Sequence, residues 1–234
     1  MTFPRAHSLT LALLLSDARL PSGGHAHSAG MEPAISAGMP VALVPAFLAG
    51  RARTTTIVEA GTAVVTRHLL LEAGDDSGEV DAQLARVERA WAARTPSAAL
   101  REASRVLGRG YLRLASRLWP ESSALAGTRA RGTAPPRAVV LGMIAAASGL
   151  TAPDLVRSVV YDEVQSAAAA LLKLEPRDPA DVTVWVLDTC ASVDHLVPAI
   201  AALTTPDAIP ASGAPQSEGW AEAHALTSQR LFRA

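Results

Sequence analysis

Apolar residues in this chain recur at the spacing of a helix and almost nowhere at the spacing of a strand. Val80, Leu84, Val87 and Trp91 follow at steps of four, three and four, with Asp81, Arg86, Glu88 and Arg89 on the other faces. A turn of about 3.6 residues gathers such a set into one stripe, which must be buried against neighbouring helices. Thr95-Pro96 reads as an N-cap followed by proline at the first helical position. It opens a helix that buries Leu100, Ser104, Leu107, Tyr111, Leu114 and Leu118 and stops at Pro120. Thr151 with Asp154 is a capping-box variant before a long helix to about Leu174. Asp178-Pro179 starts another, through Val186 and His195 to about Leu203, with an interruption at Pro198. Ala42 to Ala52 and Thr56 to Leu71 are two more. Thr54 to Val58 has β-branched residues but no alternating partner run.

The expected fold is therefore all-α, a single-domain helical bundle of about eight to ten helices. A length of 234 residues suits one domain, and 4% aromatics is thin for a β-sandwich. Residues 1–8, the loop 122–136 and a tether 204–219 to the C-terminal segment are expected to be mobile.

Several function classes are disfavoured. A net charge of −1 gives no global field toward nucleic acid. The single cysteine, Cys190, cannot form an internal disulfide, and cytoplasmic residence is the expectation. The apolar run Leu9 to Leu15 is short and is followed at once by Asp17 and Arg19, so a signal peptide is not expected. Nor is a span of about 18 uncharged apolar residues seen. The chain has no G-x-x-x-x-G-K-[ST] and no G-x-S-x-G.

Leu20-Pro21-Ser22-Gly23-Gly24 marks a sharp turn, since Pro21 fixes φ while Gly23 and Gly24 reach conformations closed to other residues. His25 and His27 are two apart and could chelate a metal on an extended segment. The competing reading is polar filling of the turn. Cys190, amid apolar neighbours, reads as a small core residue. Arg101, Arg105, Arg109, Arg113 and Arg117 recur every four residues as a basic ridge, a solvated face or a partner surface. Gly108 lies inside that helix at a cost of about 1 kcal/mol against alanine, a sign of close packing there. Leu231-Phe232 between Arg230 and Arg233 could anchor in a partner groove or fold onto the chain's own core. Glu32 suits the first turn of a helix.

Taken in order, Leu14-Leu15-Ser16, Leu20-Pro21-Ser22-Gly23-Gly24, Ser28 and Gly30-Met31-Glu32 resemble the opening signature of the urease accessory protein F family (UreF). Further matches are Arg101-Glu102-Ala103-Ser104 with Gly108-Arg109, then Tyr161 and the small-residue run into Lys173-Leu174-Glu175-Pro176. The last is His224 with Arg230-Leu231-Phe232-Arg233. The resemblance implies a helical, dimeric, non-enzymatic chaperone for nickel insertion into apo-urease. It would join the scaffold UreD, through the C-terminal segment, to the nickel-carrying GTPase UreG, and would modulate the GTPase cycle. It further implies partner-binding roles for Glu32, Arg101, Ser104, Arg109, Lys173, His224, Arg230, Leu231, Phe232 and Arg233. Pro21, Gly23, Gly24 and Gly30 would shape the turn. No catalytic residue and no directly bound cofactor are implied, nickel and GTP being handled by partners, and neither nucleic acid nor a membrane is involved. The sequence departs from the family pattern at Arg177-Asp178-Pro179, at His25 and His27 where aromatics are usual, and at Ala134-Pro135-Pro136. Two other readings stand beside this one: a helical ligand-binding or regulatory domain unrelated to urease, and a metal-binding protein using His25 and His27.

Overall fold

Short polar side chains begin most of the helices, because each supplies an acceptor for backbone N–H groups that have no partner inside the helix. A computed structural model describes residues 6–74, 76–228 and 231–232. Asp76 accepts from Gly78 and Glu79 to open α5 (Ser77–Ala93), and Ser122 accepts from Leu125 to open α7 (Ser123–Ala130). Thr151 caps α9 (Ala152–Leu174) through the Asp154 N–H, and Asp178 caps α10 (Pro179–Val193), both as the sequence indicates. The cap of α6 (Ala98–Leu118) is Ser97, not Thr95: its Oγ accepts from Leu100, and Pro96 lies outside the helix.

The remaining elements are α1 (Ser8–Leu15), α2 (Met31–Ser36), α3 (Val44–Arg53), α4 (Thr55–Ala73), α8 (Arg137–Ser148), α11 (Val197–Ala201) and α12 (Pro215–Ala225). Among the described residues there are ten helices of eight residues or more, two shorter ones and no β-strand, the expected all-α class. Thr55 to Val58 starts α4 rather than a strand.

α4 lies at the centre, packed on α8, α9, α5, α3 and α11. Its buried residues, from Thr56 through Val65 to Leu70, join one continuous apolar core that runs from Leu11 to Phe232. The α5 stripe is buried as the periodicity indicates, with Trp91 fully enclosed. The α6 stripe is turned by about one position. Ala103, Leu107, Tyr111, Leu112 and Ala115 are buried, while Leu100, Ser104, Leu114 and Leu118 are only half-buried. Two glycines explain that rotation. A Cβ at Gly108 would lie 2.0 Å from the Pro135 carbonyl oxygen, and one at Gly110 would lie 1.8 Å from that of Ser22. Both backbones lie directly on α6 because those positions carry no side chain.

Three expectations need correction. The stretch 122–136 contains α7, whose Leu125 is buried. The stretch 204–219 is not a bare tether: Arg94 donates Nε to the Ile209 carbonyl at 2.8 Å and Nη2 to that of Asp207 at 3.0 Å, and Ile209 is buried. The interruption after α10 falls at Asp194–Leu196, a 3-10 turn, and Pro198 opens α11 instead of breaking a helix. Two helical stretches, Val41–Ala73 and Pro179–Ala201, are long and apolar enough to cross a membrane by length and composition alone. Both also supply core side chains, and the first carries the buried Arg51.

Candidate functional site

The turn after α1 delivers Glu32 to the centre of one face. Gly23 and Gly30 both adopt positive φ, at +90° and +79°, reversing the chain before α2. Glu32 then sits in the first turn of α2, only 5% exposed. Its carboxylate receives two backbone donors from the far end of the chain: Leu231 N–H to Oε1 at 2.6 Å and Phe232 N–H to Oε2 at 2.8 Å. His224 Nε2 lies 3.2 Å from Oε2. Phe232 is buried, and the Lys173 ammonium stands 5.0 Å from its ring centroid, within cation–π range. Leu231 beside it is exposed. Five of the residues singled out in the sequence, Glu32, Lys173, His224, Leu231 and Phe232, thus meet in one place. Arg230 and Arg233 lie outside the described residues.

The α6 residues have work within the chain. Arg101 Nη1 donates to the carbonyls of Thr95 and Pro96, both at 2.7 Å, tying down the α5–α6 connection. Ser104 Oγ accepts the Arg137 N–H at 3.0 Å, satisfying the start of α8, whose N-cap position is Pro136. Gly108 makes room for Pro135 in the same connection. Arg109 alone of this set is exposed, 3.4 Å from Glu102. Pro21, Gly23 and His25 are exposed, Gly24 half-buried and Gly30 buried, while His27 lines a cavity. Among the described residues no group of three or more His, Cys, Asp or Glu is placed to hold a metal. Cys190 is half-buried, and burial pushes its thiol up from its ordinary value.

Behind the Glu32 face runs a buried charge chain that sequence reasoning missed. Arg51 on α3 pairs with Glu163 on α9 at 2.8 Å. Arg137 on α8 pairs with the other oxygen of Glu163 and, at 2.5 Å, with Asp162. Burial works against the Glu163 anion, but Arg137 and Arg51 overcome it and hold the carboxyl at about 2. Tyr111 is pushed up to about 12 by burial and by the Asp162 charge. Its available signal was charge in apolar surroundings, as at Arg137 before Ala138-Val139-Val140-Leu141.

The geometry describes an all-helical holder of chain segments: a carboxylate gripping two backbone N–H groups beside an exposed leucine. The UreF family profile matches residues 43–189. The chain is 41% identical over 189 residues to the urease accessory protein UreF of Mycolicibacterium vanbaalenii, covering 78% of this chain and 82% of that one. It is 41% identical to that of Mycobacterium tuberculosis (strain ATCC 25618 / H37Rv) and 39% to that of Mycobacterium marinum, each over 76% of this chain and 78% of the relative. The chain belongs to the UreF family of urease accessory proteins.

Proposed function

We propose that this protein is a non-enzymatic, cytoplasmic chaperone of urease maturation that acts as an adaptor between the scaffold UreD and the GTPase UreG. It binds no cofactor itself, leaving nickel and GTP to its partners, and it biases the GTPase cycle by binding the nucleotide states of UreG unequally. Neither nucleic acid nor a membrane takes part. The observation that carries the reading is the grip of Glu32 on the Leu231 and Phe232 backbone. Held with Phe232 buried and Leu231 outward, this pair is a preformed hydrophobic anchor with its ordering cost already met. Glu32, Lys173 and His224 then act on partners through the tail they hold. Arg109, with Arg113 and Arg117 exposed along the same helix, offers a basic face to an acidic partner. The exposed Leu9, Leu13 and Leu14 of α1 support a homodimer, being an apolar row without cover in one chain.

The test is co-purification of the full chain with UreD and UreG, alongside a version ending at Gln229. Loss of UreD from the shortened chain, with its far-ultraviolet circular dichroism unchanged, is expected. Equal retention of UreD by both would end the tail reading, and full urease activation in cells lacking this protein would end the chaperone reading.

A further inference from the structure

Between α6 and the connection that follows α7 lies a concave site of about 200 Å³ with three guanidinium groups on its walls. Arg109 and Arg113 come from α6, one turn apart, and Arg129 from the last turn of α7. Thr133 and Ala134 also line the site, and the buried Leu112 and Thr128 lie beneath it. Most neighbouring arginines are already engaged. Arg101 holds the carbonyls of Thr95 and Pro96, Arg105 stands 6.0 Å from the Trp91 ring centroid, and Arg131 pairs with Asp81. Among the described residues Arg113 and Arg129 make no hydrogen bond, ion pair or ring contact. Arg109 meets Glu102 at 3.4 Å, with both side chains more than half exposed.

We infer that this site takes an acidic segment of a partner protein, with two carboxylates set over Arg109, Arg113 and Arg129. The partner's identity rests on the adaptor reading, which this site deepens. Three like charges around one concavity repel one another, and Glu102, which meets one of them, is not among the residues that line the site. A carboxylate relieves that repulsion, and the planar guanidinium fork takes both of its oxygens at once. A concave wall keeps part of the water away, so each pair counts for more than on a flat helix face. Arg109 and Arg113 leave α6 about 6 Å apart along its axis, the rise of four helical residues. Acids four apart in a helix, or two apart in an extended chain, have nearly the same spacing.

Charge and shape narrow the occupant further. The full chain carries −1, with 21 basic against 22 acidic residues. The positive region is therefore local, and it matches a short acidic stretch better than a continuous phosphate backbone. Among the described residues no aromatic side chain lines the site, so a nucleic-acid base would have nothing to stack on.

The experiment titrates the full chain, labelled with ¹⁵N at arginine, with two capped peptides and with inorganic phosphate. One peptide is Ala-Glu-Leu-Ala-Ala-Glu-Ala, and the other has Gln in place of each Glu. Probes run to about 10 mM, because a few exposed ion pairs reach only the millimolar range. The Nε–H signals of Arg113 and Arg129, assigned with Arg113→Lys and Arg129→Lys, are expected to move with the Glu peptide and not with the Gln peptide. Arg113→Glu with Arg129→Glu is expected to weaken the Glu peptide at least about tenfold. The same variant is expected to recover less UreD or UreG on co-purification, with its urea midpoint unchanged. Signals that stay still with the Glu peptide overturn the site, as does inorganic phosphate bound as tightly as that peptide. Wild type that binds the peptide but neither partner would end the adaptor reading and leave the site. Partners retained equally by wild type and the reversed variant, with no peptide shift, would do the opposite. The wild-type titration needs no charge-reversed protein and stands if that variant fails to fold.

Discussion

Glu32 and Phe232 stand 200 positions apart in the chain, yet the carboxylate of one accepts the backbone N–H of the other at 2.8 Å. With the Leu231 N–H on the second oxygen, the acid behaves as an N-terminal cap does, except that the donors come from the opposite end of the protein. A side chain expected to face a partner is thus spent on holding Leu231 and Phe232 of this chain.

Replacing Glu32 by alanine removes both acceptors. Charge-assisted hydrogen bonds of this kind contribute about 1.5–3 kcal/mol each. The tail should be released locally, with the global unfolding midpoint little changed because the segment can swing into water. Amide exchange at Leu231 and Phe232 should rise at least tenfold, and UreD should be lost on co-purification. Exchange rates equal to wild type would show that the carboxylate does not hold the tail.

Gly108→Ala sets two effects against each other. Alanine favours the helix by about 1 kcal/mol, but its Cβ would lie 2.0 Å from the Pro135 oxygen, a distance that forces backbone movement. Steric cost wins, and a net loss of about 1–3 kcal/mol is expected in urea unfolding. Gly127→Ala on α7 is the matched control. Nothing lies within 4 Å of its Cβ, so a gain of about 0.5–1 kcal/mol is expected.

Glu163→Gln should destabilise by about 3–5 kcal/mol at neutral pH, since it takes the charge partner from buried Arg51 and one of the two from buried Arg137, which keeps Asp162. Its folded value is depressed to about 2 from 4.5, so its contribution is complete above about pH 4.5 and is lost as pH falls through about 2. Wild-type stability should therefore drop across that acid window more steeply than that of Glu163→Gln. Equal slopes in acid titration by circular dichroism would refute the assignment.

Ser104→Ala leaves the Arg137 N–H without its acceptor at the start of α8. A loss of about 1 kcal/mol is expected, read from the urea midpoint at constant slope. Ser104→Thr, which keeps the hydroxyl, should recover part of it.

Much of the helical layout was legible in the sequence. The Thr151 and Asp178 caps and the Val80-to-Trp91 stripe depend on residues within a turn or two of each other, and local spacing reports such features well. The cap of α6 was misplaced by two residues because Thr95-Pro96 and Ser97 compete for the same role, and Ser97 bonds the Leu100 N–H. Its stripe was misjudged because burial there follows the close approach of Ser22 and Pro135, which are distant in sequence. The family motifs named Glu32, Lys173, His224, Leu231 and Phe232 as residues that matter. They could not say that these residues touch.

By itself, then, the sequence determined the helices, most of their ends, the sharp turn at Gly23 and the membership that its motifs carry. Spacing along a chain encodes which face of a helix is apolar and where a backbone donor needs a cap. Tertiary structure alone decided that Arg51, Glu163, Arg137 and Asp162 balance one another, and that the C-terminal segment is held by Glu32. Charges and donors choose partners by distance in space, and their burial makes each choice matter energetically.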